Sequence, residues 1–217
     1  PVGMAAFSIL ARCVKRKVSC MEVRKKPVFS KTAYRRPVSR ARSLALCALC
    51  MAVMAVCAWV TVPFGPVPFT LQTFAVAFSV LALRPKEAVA AVAGYVLLGA
   101  LGLPVFSGMR GGLGMLVGPT GGFLWGFILG AVCAVGVRCA LEGLAERSKA
   151  ASRAVDASAV IAFMVVTYAV GWAQLMAVSG MSLAEAFMVA IAPFAVIDVV
   201  KMVVAVMVAN AVRRAVG

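Results

Sequence analysis

Six apolar runs separated by short connectors dominate the pattern along this chain. They are Ser43–Val62, Val67–Leu83, Ala88–Leu103, Gly122–Val137, Ala157–Val178 and Phe194–Val212. Runs of this kind predict bilayer-crossing helices, which need about 20 residues each. The second and third are short for that purpose. Proline- and glycine-rich connectors take up the shortfall. Irregular backbone persists at membrane depth only where protein or a cavity covers it, so these connectors are expected to fold back over the bundle. A further stretch, Leu183–Ala192, precedes Pro193, which is expected to divide a short outer helix from the sixth span. The pattern predicts an all-α integral membrane protein built as a six-helix transmembrane bundle, with no tandem repeat.

Composition agrees. The chain is 64% hydrophobic, where a soluble domain carries about half. The formal net charge is +15, with no histidine. Placement of that charge argues against nucleic acid. Twelve of the 22 Lys and Arg lie in residues 1–42, ahead of the first span. They read as a basic cytoplasmic arm beside anionic lipid, with residues 43–217 as the membrane domain. Strict alternation of six spans puts 20 of the 22 basic residues on one face. The positive-inside rule then sets both termini in the cytoplasm. The first residue is Pro1 rather than Met, and Met21 is the expected beginning; separately, the run Val2–Ala11 is too short to span. The seven cysteines include the pair Cys47 and Cys50, whose C-x-x-C spacing lies inside an apolar run with no histidine nearby. Packing against a neighbouring helix accounts for such a pair better than metal or redox chemistry. No metal or cofactor is expected.

Two basic residues escape the positive face: Arg110 and Lys201. Lys201 lies three residues after Asp198 in FAVIDVVKMVVAVMVANAV, on the same helical face. Either charge at mid-membrane costs about 2.5–3.5 kcal/mol on insertion scales. Such residues face a partner, a substrate or a pathway rather than lipid. A purely structural ion pair that orients the bundle is the competing reading.

Two connectors stand out. In VPFGPVPFTLQTF, Pro63, Pro66 and Pro68 stiffen the backbone, and Thr70 and Gln72 open the second helix. The segment reads either as a rigid turn with a helix cap or as a preorganised lid whose Gln72 amide points into a cavity. In GLPVFSGMRGGLGMLVGPTGG, eight glycines permit close backbone approach to a ligand. The absence of a G-K-[ST] ending excludes a P-loop. Arg110 is the one charge there and sits either at an anionic ligand or at the rim. Ser107, Gly111 and Thr120 are the candidate ligand contacts of this connector.

PFGPVPFTLQTF, GYVLLGALGLPVFSG, GGLGMLVGPTGGFLWGF and PFAVIDVVK, in that order, resemble the BioY family over about Ser43–Arg214. These are biotin-specific S components of energy-coupling-factor (ECF) transporters. Two departures from the family pattern are Leu83-Arg84-Pro85 in place of a leucine-glycine-proline turn, and Arg110. The resemblance implies biotin bound near the outer side of a six-helix bundle in a bacterial plasma membrane. It carries the family's acid and lysine onto Asp198 and Lys201. Biotin's cyclic urea offers two N–H donors and one carbonyl. An ionised carboxylate accepts N–H groups in a fork, and an ammonium donates to the carbonyl or meets the valerate. Tyr95, Phe106, Phe123 and Trp172 are candidate apolar walls.

The first helix carries a small-residue stripe, Ala41, Ala45, Ala48, Ala52 and Ala55. It reads as packing within the bundle. The resemblance instead implies docking of Ala45, Ala48 and Ala52 on a transmembrane coupling protein that works with two ATPase subunits. Two other classes compete with this reading. An ion-coupled secondary transporter would use Asp198 as its proton carrier, but the chain lacks paired broken helices. A membrane-embedded enzyme lacks any visible nucleophile–base pair or metal cluster.

Overall fold

Each predicted apolar run becomes a helix, with boundaries moved by local chemistry. The computed structural model describes residues 40–63 and 67–216, all within one compact unit, Arg36–Gly217. Most of the basic arm, Cys13, Cys20 and Pro66 lie outside the described residues. Along the chain run α1 (Arg40–Trp59), β1 (Thr61–Val62), β2 (Phe69–Thr70), α2 (Gln72–Ala82), α3 (Pro85–Ala100), α4 (Leu113–Val117), α5 (Gly121–Ala140), α6 (Glu142–Ala145), α7 (Lys149–Ser179), α8 (Leu183–Ala190) and α9 (Ala192–Val216). Four of these, α1, α5, α7 and α9, are long and apolar enough to cross a membrane.

Boundary shifts have identifiable causes. The second run loses its first residues to β2, which pairs antiparallel with β1 in the register Thr61↔Thr70 and Val62↔Phe69. This short strand pair departs from the purely helical expectation. Its backbone bonds fasten down a connector in which Pro63 and Pro68 supply no N–H. Pro85 starts α3 at its first position, where a missing N–H costs nothing. α7 begins eight residues before the apolar run does. Ser148 caps it by accepting from the Ala151 N–H at 3.0 Å, so helix forms ahead of the oily stretch. Gly180 at φ 64° ends it in the left-handed conformation. Ser182 and Glu185 form a capping box that starts α8, the predicted short outer helix.

α5 and α7 make the most extensive helix pair. Gly122, Gly126 and Gly130 lie one turn apart on the α5 face that meets α7. A Cβ on Gly126 would come within 2.9 Å of the Thr167 backbone, and one on Gly130 within 2.8 Å of the Phe163 ring. Neither fits without separating the helices, so small residues set the interhelix distance. The Thr167 hydroxyl uses the close approach to donate to the Gly126 carbonyl at 3.2 Å. Cys50 is a free thiol buried in the core, and the free Cys47 thiol lies 3.6 Å from the Glu87 carbonyl on α3. Outward faces are apolar: Val196, Val199, Val200, Val203 and Met207 on α9 are all exposed.

At one end of the bundle, Asp156 on α7 is buried between two arginines. Arg138 on α5 approaches at 3.5 Å and Arg213 on α9 pairs directly with it. Arg138 also donates to the Val80 carbonyl of α2 at 2.7 Å. The carboxylate ties three helices there, and Arg138 adds α2.

Candidate functional site

The opposite end holds a cavity of about 800 Å³. Both connectors roof it, and α2, α5, α7 and α9 wall it. Its size suits a small organic ligand. Asp198 and Lys201 stand one turn apart on α9 and line it, 4% and 7% exposed. The Lys201 Nζ donates to Asp198 Oδ1 at 2.6 Å and to the Thr70 carbonyl at 2.7 Å. It also lies 3.8 Å above the Phe69 ring. Phe69 stacks on Phe194 with centroids 6.3 Å apart. The β1–β2 pair thus presents one residue's ring and the next residue's carbonyl to the same ammonium. That is how a fixed strand register positions a flexible lysine.

Asp198 is equally engaged. Thr73 on α2 donates to Oδ1 at 3.3 Å, and the Tyr168 hydroxyl on α7 donates to Oδ2. Two opposite charges removed from solvent are tolerable only with such additional hydrogen bonds. The pair faces protein and cavity, while its neighbours Val196, Val199 and Val200 face outward.

The expected residues divide into those on the wall and those behind it. Gln72, Phe106, Ser107, Thr120 and Phe123 line the cavity with Asp198 and Lys201. Tyr95 and Gly111 do not. Tyr95 is fully buried, accepts from Gln72 Nε2 at 2.8 Å and donates to the Val105 carbonyl at 2.7 Å. It packs edge-on to Phe106 at 5.7 Å. Tyr95 therefore backs the wall and spends the Gln72 amino group on a structural bond. The backbone at Gly111 lies against Gly102 and Leu103, too close for a side chain. Trp172 is turned away as well, donating to the Leu183 carbonyl at 3.2 Å and packing on Phe187 of α8. Arg110 is exposed, at the mouth. The Phe106–Arg110 bridge closes a tight turn there with Met109 at φ 57°, a conformation costly for a residue with a Cβ.

The roof is pinned at three points. Trp59 Nε1 donates to the Pro104 carbonyl at 2.8 Å. The Thr61 and Ser107 hydroxyls meet at 3.2 Å. Gln174 Nε2 on α7 bonds the Leu116 and Gly118 carbonyls at 2.8 and 2.9 Å. Sequence reasoning missed Phe69, Thr73 and Tyr168 at the site. Tyr168 stands 30 residues before its partner, beyond any local spacing rule. The one available signal was its polar oxygen inside an apolar run.

Comparison with known proteins gives this geometry its family. The sequence model of the BioY family matches residues 26–217. The chain belongs to the BioY family. Among BioY relatives, the biotin transporter BioY of Thermotoga maritima is 40% identical over 173 residues, covering 80% of this chain and 96% of that one. The probable biotin transporter BioY of Pyrococcus horikoshii is 36% identical over 171 residues, covering 79% and 96%. The fold is also that of a crystal structure described as the S-component for biotin from an ECF-type ABC transporter. The TM-score is 0.73 at 21% identity, over 80% of this chain and 92% of that one.

Proposed function

We propose that this chain is the membrane subunit that captures biotin from outside for an ATP-driven ECF transporter. The observation that carries the reading is the buried Asp198–Lys201 pair lining a roofed cavity at one end of a BioY-family bundle. The names of the relatives and the fold of the biotin S-component support it. Asp198 accepts from the urea, Lys201 donates to its carbonyl, and Phe69, Phe123 and Phe127 flank the ring and chain. Ser107, Thr120 and the Arg110 side chain at the mouth receive the carboxylate end. Gln72 and Tyr95 hold the wall in shape from behind, and Gly111 lets the connector fold tightly.

Counting the shorter α2 and α3 with the four long helices gives the reading of six spans, and the one-sided placement of Lys and Arg supports both termini in the cytoplasm. The length deficit of α2 and α3 is made up by the roofing connectors. Residues 43–217 form the biotin-binding domain, and residues 1–42 a basic cytoplasmic arm. Ala45, Ala48 and Ala52 are exposed on α1, whereas Ala55 is buried. An exposed small-residue face supports docking of a transmembrane coupling protein, with the ATPases supplied by that module.

The deciding experiment titrates the purified full chain in detergent with biotin, desthiobiotin and unrelated vitamins. Biotin binds selectively, and Asp198→Asn weakens it at least thirtyfold with folding intact. Affinity within twofold of the parent in a folded Asp198→Asn protein would remove the carboxylate from the site.

A further inference from the structure

The hydrogen bonds around Asp198 count out its capacity. An ionised carboxylate has about four lone-pair positions. Among the described residues, Thr73 and Lys201 fill both on Oδ1, and Tyr168 fills one on Oδ2. One position remains, on Oδ2. A fork to both urea N–H groups is therefore closed. The chemistry of the ring closes it independently: exocyclic bonds of a five-membered ring radiate, so its two N–H groups diverge. What the pair can read is a single edge, one ring N–H to Oδ2 beside the carbonyl to Lys201. That ammonium has three N–H donors and spends two on Asp198 and the Thr70 carbonyl.

We propose that Tyr168 is a positioning and specificity-determining residue. Its hydroxyl pins Oδ2 and occupies one of its two acceptor positions. Asp198 is thereby restricted to ligands that present one N–H next to one carbonyl. The inference rests on the assignment of Asp198 and Lys201 to biotin. Tyr168 is held for this task from two sides, since its ring packs edge-on against Phe123 with centroids 6.4 Å apart while its oxygen reaches α9. α7 and α9 are thus joined through the one carboxylate oxygen that still has room for a ligand. The group such a site rejects is a cyclic guanidinium. It replaces the carbonyl acceptor with a second N–H, facing Lys201 with a like charge and finding the second Oδ2 position taken.

The test compares biotin with 2-iminobiotin, its cyclic guanidine analogue, at neutral pH. Tyr168→Phe keeps the ring and removes only the donor. Biotin affinity is expected to fall about tenfold, because the unpinned carboxylate must then be ordered by the ligand, at the upper end of what fixing one side chain costs. Iminobiotin affinity is expected to stay within twofold, because its extra N–H takes the position the hydroxyl vacates. The preference for biotin therefore narrows about tenfold. Equal losses for both ligands would reduce Tyr168 to packing and overturn the proposal, as would unchanged biotin affinity. Tyr168→Met, which fills the space without a donor, serves if the Phe variant does not fold. Asp198→Asn run in parallel separates the two claims. If it leaves biotin binding intact, the site assignment itself has failed; if it abolishes binding while Tyr168→Phe lowers both ligands alike, only the role of Tyr168 has.

Discussion

Two buried carboxylates, Asp156 and Asp198, lie at opposite ends of the same bundle and are treated differently. Asp156 meets two arginines, and one of those also ties down the Val80 carbonyl. Its surroundings are helix against helix, with planar guanidinium groups matching the carboxylate shape. Asp198 meets a lysine, a threonine and a tyrosine, and it borders an open volume. A point-charge ammonium with a donor left over replaces the rigid fork. The contrast separates the charge we propose as ligand-binding from one that only ties helices together. Burial and pairing are common to both ends. Capacity left unspent beside a cavity belongs to one.

Mutations can break the contrast. The largest effect is expected at Asp156→Ala, which leaves two arginines without their acid and costs about 3–5 kcal/mol of stability. Biotin affinity of the folded fraction should change less than threefold. Thermal unfolding in detergent and a binding titration measure the two, and a larger loss of affinity would mean the ends are coupled. The double variant Asp198→Leu, Lys201→Met should do the reverse. It abolishes binding, while stability stays level or rises by about 1 kcal/mol, because an apolar pair need not be desolvated. A drop of several kcal/mol there would mark the pair as structural.

The smallest effect concerns an exposed acid, Glu185. Hydrogen bonds from the Ser182 hydroxyl and backbone hold its carboxyl below the ordinary glutamate range. A depressed carboxyl stabilises the fold above its unfolded value and stops doing so as pH falls through its folded one. Hydrogen-exchange protection at the start of α8 should therefore decline as pH drops below about 4.3, the ordinary glutamate value. Glu185→Gln should remove that dependence and leave Asp156 and Asp198 undisturbed.

Much of this was legible in the residues alone. Hydropathy located every long helix, because oil-solubility is a local property of each run. Asp198 and Lys201 were legible for the same reason: charges in an apolar run are conspicuous. The failures share a different cause. Tyr168, Thr73 and Phe69 act through contacts between distant elements, and such contacts leave no spacing in the chain. Tyr95 and Trp172 look like ligand walls in sequence, and only packing tells which aromatic faces the cavity and which backs it. The glycines at 122, 126 and 130 carry a regular interval, and that interval was readable. The first of them also ends the glycine-rich connector, so one residue serves two patterns.

The 31 residues of α7 have a simple geometric sequel. At 1.5 Å per residue the rod measures about 46 Å, against a hydrocarbon layer of about 30 Å. Upright, roughly ten residues must stand clear of the oil, and the end bearing Lys149 and Arg153 is the one equipped to do so. In an upright rod that stub acts as a depth gauge. It fixes how far the chain can sink before an ammonium and a guanidinium touch the phosphates.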